Sequence, residues 1–151
     1  MKITFCGHSS FIRTQEYENK ILNLFEEIIG DNNVEFLLGG YGNFDNFAFE
    51  CCKKYKETHP SASLTFVTPY ITESYQTNRL QYQKDLFDHI LYPPIEQVPP
   101  KFAIIYRNKY MVDNSDFVIA FISRKFGGAY KTYSYAEKNK KAIYNIYKKD
   151  L

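Results

Sequence analysis

Three short glycine loops hold the residues best suited to chemistry: Cys6-Gly7-His8-Ser9-Ser10, Gly39-Gly40-Tyr41-Gly42-Asn43 and Phe126-Gly127-Gly128-Ala129. Each follows an apolar run and leads toward a helix-like segment. Glycine lets the backbone approach a ligand closely, and a helix N-terminus offers free N–H groups at the positive end of its dipole. Together they suit a phosphate or another anion. The hydroxyls of Ser9, Ser10 and Thr132 add donors. No loop matches Gly-x-Gly-x-x-Gly or the P-loop with its Gly-Lys-Ser/Thr ending. Glycine after a strand also simply makes a tight turn, so the case rests on three loops at equivalent places.

Other side chains join this candidate site by position. His8 stands in the first loop as a phosphate or base contact, or as a loop histidine held by a backbone hydrogen bond. Arg13, a few residues on, has the fork that pairs with phosphate. Tyr41 sits between glycines, where no fold requirement asks for a ring, and suits base stacking or gating. Tyr70 ends the third apolar run at the same edge. Asp113 and Asp116 flank a turn, where ribose binding competes with plain turn formation. A Ser–His pair is imaginable at His8, but a nucleophile elbow needs Gly-x-Ser-x-Gly, which is absent. Three scattered histidines (His8, His59 and His89) without an acidic cluster give no metal site, and no cofactor is expected.

The elements that must position these residues alternate strand and helix. Apolar runs at 2–6, 34–38, 64–67, 117–122 and 142–147 read as strands. Stretches Gln15–Ile29, 44–55 and 129–141 carry one-face apolar spacing and read as helices. Residues 73–89 are polar with scattered rings and read as helical. Residues 92–100 hold four of the six prolines and read as a surface loop. Residues 102–112 fit either a strand and turn or a buried helix. Short buried strands alternating with helices predict an α/β domain, a single Rossmann-like three-layer unit over 1–151 with a mostly parallel sheet. In such a sheet all three loops lie at the carboxyl edge, where ligands bind.

Length and composition agree. The chain has 151 residues, 44% hydrophobic and 24% charged, which fits one soluble domain and excludes disorder. Net charge is +2, too weak for an electrostatic nucleic-acid footprint, so a nucleic-acid partner is not expected. No apolar run approaches a membrane span, and no signal peptide is read at the start. Cys6, Cys51 and Cys52 form neither a disulfide framework nor a zinc spacing, and a reducing cytoplasm fits them. Aromatic content is 18%, from 14 Tyr and 13 Phe without Trp. Most Phe residues fall on strands or apolar helix faces, while Tyr41 and Tyr70 fall at the proposed edge.

Specific motifs add a family resemblance. Gly39-Gly40-Tyr41-Gly42-Asn43-Phe44-Asp45 at a strand-to-helix junction resembles the Gly-Gly-x-Gly-Thr motif of lysine-decarboxylase-like, LOG-type proteins. Met111-Val112-Asp113-Asn114-Ser115-Asp116-Phe117-Val118-Ile119-Ala120, then Gly127-Gly128-Ala129 and Tyr135-Ala136-Glu137-Lys138, is similar to the end of the YpsA-like (DUF1273) branch of the SLOG superfamily. Cys6-Gly7-His8 resembles the opening of that branch. The resemblance implies a Rossmann-like fold, reads residues 102–112 as a helix, and implies a nucleotide-derived ligand. Some members cleave the N-glycosidic bond of nucleoside monophosphates, and others sense ligands in bacterial and phage conflict systems. Where the hydrolytic LOG proteins carry Thr and a glutamate, this chain has Asn43 and Asn46. An amide cannot serve as general base, so catalysis falls to Asp45, one place earlier, or Glu50. Asp45 equally suits helix capping.

The expectation is therefore a protein that senses or sequesters a nucleotide-derived small molecule. The loops 7–10, 39–43 and 127–129 would hold phosphate and ribose. A nucleoside 5'-monophosphate N-glycosidase is the first alternative. A homo-oligomeric interaction protein with a vestigial site is the second. A dimer or higher homo-oligomer is expected in any case.

Overall fold

A computed structural model describes residues 1–147 and shows six parallel strands in the order β4-β3-β2-β1-β5-β6. Strand β1 (Lys2–Gly7) is central, pairing with β2 (Glu35–Leu38) on one side and β5 (Phe117–Phe121) on the other. Beyond β2 lie β3 (Ser63–Val67) and β4 (His89–Leu91), and beyond β5 lies β6 (Ala142–Asn145). The chain builds outward from β1 to β4, then crosses back to place β5 on the other flank. That reversal opens a crevice at the carboxyl ends of β1 and β5.

Alternation along the strands feeds two helix layers. Ile3 and Phe5 of β1, with Phe36 and Leu38 of β2, pack against α1 (Gln15–Ile29) and α2 (Gly42–Thr58). Cys6 and the β5 residues Val118 and Ala120 turn to the opposite face, under α5 (Ala103–Asp113) and α6 (Gly128–Lys138). Helix α1 begins where Thr14 accepts the Tyr17 N–H. It buries Ile21, Phe25 and Ile29, four residues apart, and ends at Gly30 with φ +56°. Residues 103–113 are helical, as the resemblance implies.

The polar middle differs from the sequence reading. Helix α3 (Glu73–Tyr75), a π-helical turn (Gln76–Leu80) and α4 (Gln81–Gln83) bury only Leu80, and the chain then becomes strand β4. Two apolar residues, Ile90 and Leu91, are too few to announce a strand. Its register is set by Asp88, which accepts the Leu64 N–H at 2.8 Å and pairs with Lys56 at 2.6 Å. The sheet is parallel throughout its six strands.

Two aromatic clusters stiffen the framework. Phe25 meets Phe36 at 4.9 Å and Tyr55 at 5.5 Å between α1, β2 and α2. Nearer the crevice, Phe11 lies within 4.7 Å of Phe121, 4.9 Å of Phe47 and 5.3 Å of Phe44, ring centre to ring centre. Phe11 follows the first glycine loop and is buried, so it pins that loop to α2 and β5. The aromatic surplus is thus partly a device for holding a loop.

Candidate functional site

The loop after β1 is fixed from below. A side chain on Gly7 would overlap the Phe44 ring, so glycine is required for packing rather than for a ligand. His8 is buried, and its Nε2 accepts the Ser123 N–H at 3.1 Å, which joins the β1 loop to the β5 loop across the crevice. Burial, reinforced by the nearby Arg124 charge, holds the His8 pKa below its ordinary value and favours the neutral ring that this bond needs. Ser9 accepts the Asn43 N–H through its carbonyl, and Ser10 Oγ accepts from Arg124 Nη1 at 3.2 Å.

The loop after β2 is organised by a residue that sequence reasoning missed. Arg107, on α5, is 1% exposed. Its Nη1 donates to the carbonyls of Gly39 (3.0 Å) and Val67 (2.7 Å), tying together the ends of β2 and β3, and Nε donates to Asn108. A Cβ on Gly39 would sit 3.1 Å from the guanidinium carbon, so a side chain there would press on Arg107. Tyr41 caps the start of α2 without a side-chain bond; its own N–H donates to Asp45 Oδ2 at 2.9 Å. Asp45 is partly buried, and desolvation pushes its pKa up to about 6 despite the Tyr41 N–H and the Arg107 charge. The geometry shows a helix-start acid close to the capping alternative.

The loop after β5 is the open one. Gly127 caps α6 with φ +96°, and nothing lies within 4 Å of where a Cβ on Gly127 or Gly128 would be. The first turn of α6 therefore presents uncapped N–H groups to open space. Arg124 stacks over the Phe126 ring at 5.0 Å, and its buried Nε has no hydrogen-bond partner among the described residues. Phe126 is 66% exposed and Tyr41 51%.

These loops enclose a cleft of about 230 Å³ at the carboxyl ends of β1 and β5. It brings together Gly7, His8, Ser9, Tyr41, Asp45, Gly127, Gly128 and Ala129 of the expected residues, with Thr132, and adds Arg107, Asn108 and Arg124. The remaining candidates lie outside it. Arg13 stacks on Phe47 at 5.6 Å in a side groove shared with Asn43. Glu50 lines a different groove with Gly40, against Phe87. Gly42 packs on Ser9, and Ser10 reaches the site only through Arg124. The Tyr70 hydroxyl donates to the Pro100 carbonyl. Asp113 ends α5 at the amino edge of the sheet, accepting from the Tyr135 hydroxyl at 2.7 Å. Among the described residues, Asp45 is the one carboxylate lining the cleft.

Two signals could have revealed the missed residues. Arg107 falls on the spacing of Ala103 and Met111, one buried stripe at intervals of four. Arg124 and Lys125 stand immediately before the third glycine loop.

No protein-family model and no curated protein matches the chain. Solved structures do. DNA processing protein A from Helicobacter pylori, described for its unique mode of binding single-stranded DNA, aligns over 99% of this chain with a TM-score of 0.64 at 18% identity. DNA processing protein A (DprA) from Streptococcus pneumoniae aligns over 99% with a TM-score of 0.66 at 16% identity. The chain spans 66% and 51% of those two proteins, and at these identities the likeness is one of fold. The likeness bears out the Rossmann-like fold that the resemblance implies, and no family model matches the YpsA-like (DUF1273) branch. These neighbours overturn the small-molecule expectation, together with its N-glycosidase and vestigial-site alternatives and its exclusion of nucleic acid. The error arose from using net charge. The charged side chains that line the cleft are Arg107 and Arg124 with Asp45, and Lys125 stands beside Arg124, an arrangement that a total of +2 does not reveal. The cleft also falls short of the roughly 300–1,000 Å³ of sites that engulf a small molecule. The chain has the Rossmann-like fold of the DprA proteins, with an open cleft at its switch point lined by Arg107, Arg124 and Asp45.

Proposed function

We propose that the protein binds single-stranded DNA at the carboxyl edge of its sheet. The observation that carries this reading is the pair of exposed rings at the cleft: Tyr41, and Phe126 between the lining residues Arg124 and Gly127. Bases stack on exposed aromatic faces, and a strand bound this way needs cations along its backbone. Arg124 supplies one beside Phe126, and Lys125 another. The open first turn of α6 takes a phosphate through N–H groups. A duplex keeps its bases stacked on one another and gains little from the rings. The DprA neighbours, sharing the fold over nearly the whole chain, supply the class of ligand.

The test is fluorescence anisotropy with a labelled oligothymidylate of about a dozen nucleotides, within the site sizes of single-strand binders. Phe126→Ala weakens binding by about 1–3 kcal/mol, the usual worth of a stacked base. Arg124→Ala also flattens the dependence of log affinity on log salt by about 0.7 per phosphate released. Equal affinity for duplex, or unchanged affinity in both variants, contradicts the reading.

A further inference from the structure

The cleft continues onto a surface that the binding reading does not yet use. Helix α5 faces two ways. Ile104, Arg107 and Asn108 line the cleft, and next to them around the helix Ile105 and Tyr106 point outward, 40% and 45% exposed, with Phe102 of the preceding 3-10 turn 41% exposed beside them. Large rings left open on a helix face call for an occupant.

The charges on this face identify one. Lys101 Nζ lies 5.0 Å from the centre of the Phe102 ring. Lys109 Nζ lies 5.2 Å from Tyr106 and 5.4 Å from Tyr135, between rings of α5 and α6. Among the described residues neither lysine forms an ion pair with a carboxylate. Rings interleaved with unpaired cations suit a polymer of bases and phosphates better than an apolar peptide. The nearest acid of α5, Asp113, lies at the far end of the helix, bonded to the Tyr135 hydroxyl.

Resting on the proposed single-strand binding, we propose a second subsite: a strand leaving the cleft past Ile104 and Asn108 crosses the outer face of α5. One base stacks on Tyr106, and Lys101 and Lys109 meet the neighbouring phosphates. This gives the strand a defined exit and makes affinity depend on length.

Binding of labelled oligothymidylates from about three to about a dozen nucleotides tests it. In the wild type, affinity rises by about tenfold once the strand outgrows the cleft, the gain expected of one stacked base. The double variant Tyr106→Ala/Lys109→Ala loses that rise and keeps the short-strand affinity, with an unchanged melting temperature as the check on folding. An intact rise in the variant, or an equal loss for short and long strands, overturns the subsite while leaving the cleft reading in place. If the wild type binds no strand of any length, both readings fail. If the variant instead abolishes a concentration-dependent dimer and leaves DNA binding alone, the face belongs to a second copy of the chain.

Discussion

At the residue scale the site depends on a buried charge. Arg107 satisfies the end carbonyls of β2 and β3 and lies in the field of Asp45, so it is compensated although almost no solvent reaches it. Removing the guanidinium leaves the two buried carbonyls without a donor, at about 1–3 kcal/mol each. Arg107→Ala should therefore lower unfolding stability by about that much, read as a fall in the urea midpoint. A loss under about 1 kcal/mol would mean that the two carbonyls find other donors. Asp45 gives a pH prediction. Its carboxyl titrates near 6 in the folded chain against 3.8 unperturbed. Between those values the native state holds a proton that the unfolded state has lost, so Asp45 adds stability that fades as pH rises through 6. His8, with its pKa lowered, acts in the opposite sense. Comparing wild type with Asp45→Asn cancels the His8 contribution, because both chains keep it. The wild type should lose stability relative to the variant from pH 4 to 7. Parallel curves would show that Asp45 is not desolvated. The same ionisation places a negative charge in the cleft, so DNA binding should tighten as pH falls below 6.

At the element scale the three glycine loops have different jobs. The first two need glycine for packing, Gly7 against Phe44 and Gly40, at φ +68°, against Phe66, whereas the third leaves space. Gly128→Ala meets no neighbour and restricts the unfolded chain, so it should stabilise the fold by about 0.4–1 kcal/mol. It also narrows the approach to the α6 N-terminus and should weaken oligothymidylate binding. Thermal melting and anisotropy on the same variant separate the two effects, and a variant that gains stability without losing affinity would move the phosphate away from α6. Strand–helix alternation and the position of the loops were readable in the sequence because each depends on local periodicity. Strand β4 was not, since three residues carry no period and its pairing rests on Asp88, 24 positions from Leu64. Arg107 was hidden for a related reason: a charged residue on a buried stripe is explained only by carbonyls 68 and 40 positions away.

At the scale of the whole molecule, charge distribution outweighs net charge. Nineteen cations and seventeen anions nearly cancel in the sequence, yet the topology gathers Arg107 and Arg124 against the single acid Asp45 at the switch point of the sheet. A sequence total cannot show which residues the topology gathers at one edge, and that is why the proposed partner class rests on the fold and the cleft rather than on net charge. Chemical-shift mapping tests the central claim most directly, by following the backbone amides of Ser9, Tyr41, Gly127, Gly128 and Ala129 as unlabelled oligothymidylate is added. These five should shift together with a common saturation, and a duplex of the same length should leave them in place. If they stay still while signals elsewhere on the sheet move, or if the duplex moves them equally, single-stranded DNA is not the ligand of this cleft.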